Sequence, residues 1–220
     1  MGDLSPTIGI VCGLRSEVQC AERALGPDRD RAIILASGSS SERATEQADG
    51  LIHAGVAALV SFGIGGALDP ALRIGDVVRS TRVACDDGTF GATGDPLIWG
   101  SDRIVGGAAA KAALHARTGA VLVDMESHAV ARATSDAGLP FLVMRAVSDD
   151  AATDLPGYLG QAVKSDGTPN LRAVIAGLIR QPSTLPALIR LGRDTAKALD
   201  ALEQVAKTEF VALLRRINAG

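Results

Sequence analysis

The sequence predicts an α/β fold built on a mostly parallel sheet with helices on both faces. Short apolar runs alternate with helix-like stretches along most of the 220 residues, and Gly-rich joints separate them. The runs are near-continuous, as strands buried on both faces are. Apolar residues make up 47% of the chain and aromatics only 3%, so Ala, Val, Leu and Ile must form the core.

Residues 7–12 (TIGIVC) read as the first strand, and Gly13 breaks it before a helix over 16–25 that Gly26 and Pro27 close. Residues 31–36 form the second strand, followed by a Gly/Ser turn at 37–43 and a helix to about Ala54. The third strand covers 56–62 and gives way to a Gly-rich turn at 63–66 and a second turn at Asp69-Pro70. Residues 75–84 alternate as one strand, 85–102 read as loop, 103–105 as a short strand and 107–117 as an Ala-rich helix. A strand at 121–123 stops at Asp124, a helix spans 125–136 until Gly138 and Pro140, and a strand at 141–147 stops at Ser148-Asp149-Asp150. If these last two strands are parallel, Asp124, Glu126, Asp149 and Asp150 share one sheet edge, the edge where open α/β sheets bind ligands.

The totals exclude several classes. A net charge of −3 gives no support for nucleic-acid binding across the whole surface. Cys12, Cys20 and Cys85 lack metal-ligand spacing and read as reduced thiols, and no metal or cofactor is implied. No signal peptide is legible, and no apolar run reaches the ~18–20 residues of a transmembrane helix, so a soluble cytoplasmic protein is expected.

Four stretches carry candidate chemistry, each beside a structural explanation. The acidic strand ends could bind sugar hydroxyls or donate a proton, or they could cap helices. Ser39, Ser40, Ser41 and Arg43 sit in a strand-to-helix turn that suits an anion such as phosphate, while Ser39 and Glu42 also form a capping-box pattern. The run FGIGGA lacks the last glycine of a dinucleotide fingerprint, and its Gly65 and Gly66 would let backbone approach a flat or sugar-like ligand. Arg15 and Glu17 follow the first strand at the same edge. His128 lies near Glu126 in sequence, but the three histidines have no ligand spacing.

Taken in order, these residues resemble the nucleoside phosphorylase and methylthioadenosine/adenosylhomocysteine nucleosidase superfamily. The likeness rests on VDMESHAVARATSDAGLPFLVMRAVSDD and FGIGGALDPALRIGDVV and covers roughly residues 7–180. It implies a three-layer fold with a twisted, mixed, mostly parallel sheet between helices, and a homo-oligomer, a dimer being favoured over a trimer or hexamer. It further implies that Met125 packs on ribose, Glu126 binds its hydroxyls, and Asp149, oriented by Ser148, protonates the purine at N7. Gly65 and Gly66 would support the base, and Glu17 matches the position that activates water. Asp124 and Asp150 are left with structural roles. Arg15, Ser39, Ser40 and Arg43 would suit phosphate as a co-substrate.

The sequence departs from that pattern in three ways. The part before residue 180 is short, residues 99–110 lack the Gly-Asp-x-Phe segment whose Phe stacks on the base, and Ile64 replaces a hydroxyl residue. A less polar, more open site is expected.

Composition changes after residue 179, where seven basic face four acidic residues, leaving the tail at +3 and the rest at −6. Apolar residues from Leu185 to Ile217 recur at three- and four-residue steps, predicting an amphipathic helical tail. A catalytic domain at 1–180 with an extension at 181–220 is therefore expected. The stretch 183–217 would dock on the domain or a partner subunit, or touch a membrane surface. The short core, apolar site and QPSTLPALIRLGRDT resemble the hopanoid-associated phosphorylases, implying phosphorolysis of an adenine nucleoside with a bulky apolar 5′ group. The alternatives are a hydrolytic nucleosidase on small adenine nucleosides and a nucleoside-binding or membrane-associated module without catalysis.

Overall fold

The computed structural model describes residues 7–219. The elements run β1 (Ile8–Cys12), α1 (Arg15–Leu25), β2 (Ala32–Ala36), α2 (Ser41–His53), β3 (Ala58–Ala67), β4 (Val77–Ser80), β5 (Val83–Cys85), β6 (Gly88–Phe90) and β7 (Ile98–Gly100). There follow α3 (Ala108–Thr118), β8 (Leu122–Asp124), α4 (Ser127–Ala137), β9 (Phe141–Asp149), α5 (Leu171–Arg180) and α6 (Leu185–Ala219). Single 3-10 turns lie at Gly157–Gln161 and Pro182–Thr184.

All nine strands among the described residues join one mixed sheet. β1 pairs in parallel with β2 and β3, β9 lies parallel to β3 on its other side, and β4 closes that edge antiparallel to β9. Alternate residues of each strand point to opposite faces, and both faces are covered. Ile8, Ile10, Val60 and Phe62 face α1 and α6, while Val11 and Leu59 face α2 and α4. Burial on both sides explains why these strands read as unbroken apolar runs.

The last helix belongs to that core. Ala198, Leu202, Ala206, Phe210, Leu213 and Leu214 are buried against α1 and the sheet, and the rings of Phe62 and Phe210 lie 5.4 Å apart. Each large side chain buried here contributes about 1.5–3 kcal/mol. The composition change at residue 180 thus falls at the end of α5 and does not mark the edge of the core. Docking on its own domain accounts for the apolar stripe of α6 from Ala198 onward.

Several sequence expectations need correction. The glycines at 63–66 do not form a turn but continue β3, which runs to Ala67. Residues 75–84 make two strands, because Asp95 accepts hydrogen bonds from the Thr81 amide and hydroxyl and fixes a break there. Residues 85–102 contain β6 and β7, and 103–105 form no strand. Most consequentially, β8 pairs antiparallel to β3 while β9 is parallel to it, so the two acid-ended strands run in opposite directions. Their ends meet all the same, because Gly66 of β3 is flanked by Val123 on one side and Asp149 on the other.

Candidate active site

β1 stops pairing with β3 at Phe62, and β8 takes over the same edge of β3 at Gly66. Between these two points the chain leaving β8 turns into α4. That gap opens a cavity of about 290 Å³. Its floor is Glu17, Gly65, Gly66, Met125, Glu126, Ser148 and Asp149, and Ser39 stands at one side. The structure therefore brings together Glu17, Met125, Glu126, Ser148, Asp149, Gly65 and Gly66, which the sequence analysis had drawn from four separate stretches. The opposite wall is aliphatic: Ile104 and Val105 from the segment after β7, Leu155, Leu159, Ala162 and Val163 from the segment after β9, and Leu191 from α6.

At one end of the floor three acids gather on one cation. Arg145 of β9 is fully buried and donates from Nε to Asp124 Oδ2 at 2.5 Å and from Nη2 to Glu126 Oε2 at 3.2 Å and Ser61 Oγ at 2.8 Å. Asp124 also accepts from the Ser127 amide and hydroxyl, which caps α4 and makes its role structural. Glu17 lies alongside. Its Oε2 accepts from the amides of Gly13 and Leu14, its Oε1 from that of Ile64, each at 2.8 Å. The contacts to Gly13 and Leu14 are a helix-start cap for α1, whereas the reach to Ile64 ties the acid to β3.

Burial raises the pKa of Glu17 despite the Arg145 charge and these three amides. Burial likewise pushes Glu126 up to about 8, with Arg145 opposing it and Asp124 and Glu17 adding to it. Burial works against the charge of Arg145, yet Asp124, Glu126 and Glu17 more than offset it and raise its pKa. One guanidinium faces three carboxyl groups, an arrangement that favours keeping a proton within the cluster. Arg145 Nη1 has no hydrogen-bond partner and sits beside Gly63, where any side chain would strike it and Glu17.

At the other end, Asp149 has a cation of its own. Lys111 of α3 is fully buried and places Nζ 2.5 Å from Asp149 Oδ2, 2.8 Å from the Asp150 carbonyl and 3.1 Å from that of Thr153. Ser148 Oγ lies 2.9 Å from the other oxygen, Oδ1, so each carboxylate oxygen faces a donor. Asp150 accepts from the Ala152 amide and the Thr153 hydroxyl and shapes the loop that supplies those carbonyls.

The glycines make this crowding possible. A Cβ at Gly13 would fall on Glu126 Oε1, one at Gly66 on Asp149 Oδ2, and one at Gly65 on Leu122 and the Val123 carbonyl. They make room for acids and the neighbouring strand, which is why no dinucleotide pattern is needed to explain them.

The phosphate candidates are not brought together. Ser39 lines the cavity with a left-handed backbone (φ 55°), and Ser40, not Ser39, is the N-cap of α2. Ser39 and Glu42 therefore form no capping box. Arg15 is exposed and Arg43 does not line the cavity. Gly38 of the same turn is packed under the backbone of Lys164 and Ser165. His128 faces Asp102 (3.2 Å) in a separate polar groove.

Sequence reasoning missed Lys111 and Arg145 as site residues. Both carried a signal. Lys111 falls one turn before Leu114 on the buried face of α3, and Arg145 interrupts an apolar strand run; a charge in either place needs a buried partner.

The family model described as the phosphorylase superfamily matches residues 30–96 and 94–180, more than half of the chain. No curated protein matches the sequence. Among solved structures, the Helicobacter pylori methylthioadenosine/adenosylhomocysteine nucleosidase with 5′-methylthioadenosine in its active site is similar at a TM-score of 0.63 and 18% identity. That match covers 80% of this chain and 100% of the other. Futalosine hydrolase of the same organism gives 0.65 and 17%, covering 94% and 98%. The Colwellia psychrerythraea nucleosidase in complex with adenine gives 0.62 and 20%, covering 79% and 95%. At these identities the likeness establishes the fold.

Proposed function

This chain belongs to the phosphorylase superfamily, and we propose that it cleaves the N-glycosidic bond of an adenine nucleoside by hydrolysis. The reading is carried by one observation: a proton donor candidate, a sugar-facing acid and a buried base candidate, Asp149, Glu126 and Glu17, line one cavity. Adenine as the base is supported by similar structures that hold 5′-methylthioadenosine or adenine.

In this mechanism Met125 and Glu126 hold the ribose. Asp149 rests as the carboxylate paired with Lys111. It takes up a proton from solvent as the nucleoside binds and passes it to N7, so the base leaves neutral as the C1′–N9 bond breaks and an oxocarbenium-like sugar forms. Ser148 and Lys111 fix the two carboxyl oxygens, and Lys111 stabilises the carboxylate left behind. Glu17 takes a proton from the water that attacks C1′. Burial raises its proton affinity, as a base requires.

Charge favours water over phosphate. Four carboxyl groups line the cavity, Glu17, Asp124, Glu126 and Asp149, and the one lining cation among the described residues, Arg103, is exposed. Arg145 and Lys111 are already committed to acids. Bringing a phosphate dianion into a site with more acids than cations is unfavourable at low dielectric. Of the four phosphate candidates, moreover, only Ser39 lines the cavity.

The aliphatic wall of Ile104, Val105, Leu155, Leu159 and Leu191 supports a bulky apolar 5′ substituent. The sequence likeness to the hopanoid-associated phosphorylases makes an adenosine carrying a polycyclic lipid the first such substrate to try. Adenine release from that compound, from 5′-methylthioadenosine and from adenosylhomocysteine, compared by kcat/KM, tests the reading. A preference for the lipid-linked compound is expected; equal or better use of adenosylhomocysteine would remove the bulky-group assignment.

A further inference from the structure

α5 carries Leu171, Ile175 and Ile179 at steps of four, and these are 65%, 56% and 76% exposed. The start of α6 adds Leu185 and Ile189, also exposed and also one turn apart. The orientation of α5 is not arbitrary. On its opposite face Gly177 is buried against the ring of Tyr158, close enough that a Cβ would overlap it, and the Tyr158 hydroxyl lies 2.9 Å from that of Thr184. The 3-10 turns on either side thus hold α5 with its aliphatic stripe outward. Scattered exposed apolar residues need no explanation, but five large ones on two adjoining helices form a patch of the kind that marks an interaction surface.

Charge identifies the partner. Between Gly167 and Arg193 the sequence has four cations, Arg172, Arg180, Arg190 and Arg193, and no acid. All four are exposed, and none is in an ion pair among the described residues. Asp166 and Asp194 flank this window, and Asp150, Asp154 and Asp194 line a groove together with Arg190. A second copy packed on the stripe of α5 about a twofold axis would bring Arg172 and Arg180 of both copies together, and α5 itself carries no acid. Anionic headgroups above an apolar layer match both features at once.

We propose that α5 and the first turns of α6 form a docking surface for an anionic lipid bilayer. The surface adjoins the cavity wall, since Leu159 precedes α5, Leu191 follows Ile189, and both line the cavity. A molecule partly embedded in the bilayer could reach the site without crossing bulk water. The region is not the whole stretch 183–217, whose later part is buried in the core. The inference concerns this surface alone and does not depend on the reaction.

Vesicle flotation of the full chain tests it. Binding to phosphatidylglycerol-containing vesicles is expected, with little binding to pure phosphatidylcholine, and it should weaken as salt rises. Ile175→Asp with Ile179→Asp should abolish it. Arg172→Glu with Arg180→Glu should lower the partition coefficient by at least roughly five-fold per arginine. Both pairs are exposed, so thermal melting should be unchanged, and adenine release from a water-soluble nucleoside should be too. Absence of flotation, or flotation unaffected by either pair, overturns the proposal. So does a dimer in solution that Ile175→Asp with Ile179→Asp dissolves, because a second copy would then cover the patch. Loss of adenine release in the unmodified protein would count against the proposed reaction and leave the surface untouched.

Discussion

At the Asp149 end of the cavity one carboxylate has a lysine to itself; at the Glu126 end three carboxyl groups share one arginine. The two arrangements behave differently. A one-to-one pair fixes an ionic contact and so fixes geometry, here the direction from which Asp149 can meet a base. A three-to-one cluster leaves a proton shared among neighbours, so its protonation responds to pH and to what binds. Positioning is what a leaving-group acid needs, and adjustable protonation suits groups that hold a sugar and take a proton from water.

That contrast can be broken most forcefully at Asp149. Asp149→Asn should lower adenine release by about 10²–10⁴-fold while the protein stays folded, checked by steady-state rates and circular dichroism. An unchanged rate would remove the acid assignment. Next comes its partner. Lys111→Met leaves a buried carboxylate without its cation and should destabilise the protein by about 3–5 kcal/mol in urea unfolding. The double variant Lys111→Met with Asp149→Asn should recover most of that loss, because no buried charge is then left unpaired. Additive losses would mean that the two residues act independently.

The smallest effect is expected at the shared cluster and is read through pH. Glu126 has a folded pKa of about 8 against an ordinary value of 4.5. The stability linked to it is fully present below the ordinary value and is lost as pH rises towards the folded one. Stability should therefore fall across that window, and Glu126→Gln should flatten the fall by ~1–2 kcal/mol in melts taken at several pH values. A variant with the same pH slope as the natural protein would show that Glu126 does not hold the shared proton.

Much of the site was legible because its residues follow strand ends, where a change from apolar run to acid is visible in one dimension. Glu126 and Asp149 were found that way, whereas the roles of Met125 and Glu17 came from the family resemblance. The reasoning about how they meet was wrong in one respect: β8 is reversed, and a three-residue strand carries no mark of its direction. The glycines at 63–66 were read as a turn because glycine favours turns, but here it serves close approach, with acids occupying the space a side chain would take. Ser40 rather than Ser39 caps α2, a shift of one residue that hydroxyl-rich turns do not reveal. Lys111 was passed over in an Ala-rich helix, where a lone lysine reads as a solvated residue unless its place on the helix face is counted. The tail's apolar stripe was seen, but spacing alone could not divide the half that enters the core from the half that stays outside.

The central claim is that water, and not phosphate, completes the cleavage. The fastest substrate from the nucleoside comparison, incubated in isotope-labelled water with and without inorganic phosphate, tests this directly by mass spectrometry of the sugar product. The account predicts equal adenine release in both, a free sugar carrying one labelled oxygen, and no sugar 1-phosphate. Release that requires phosphate and yields an unlabelled sugar 1-phosphate would contradict it.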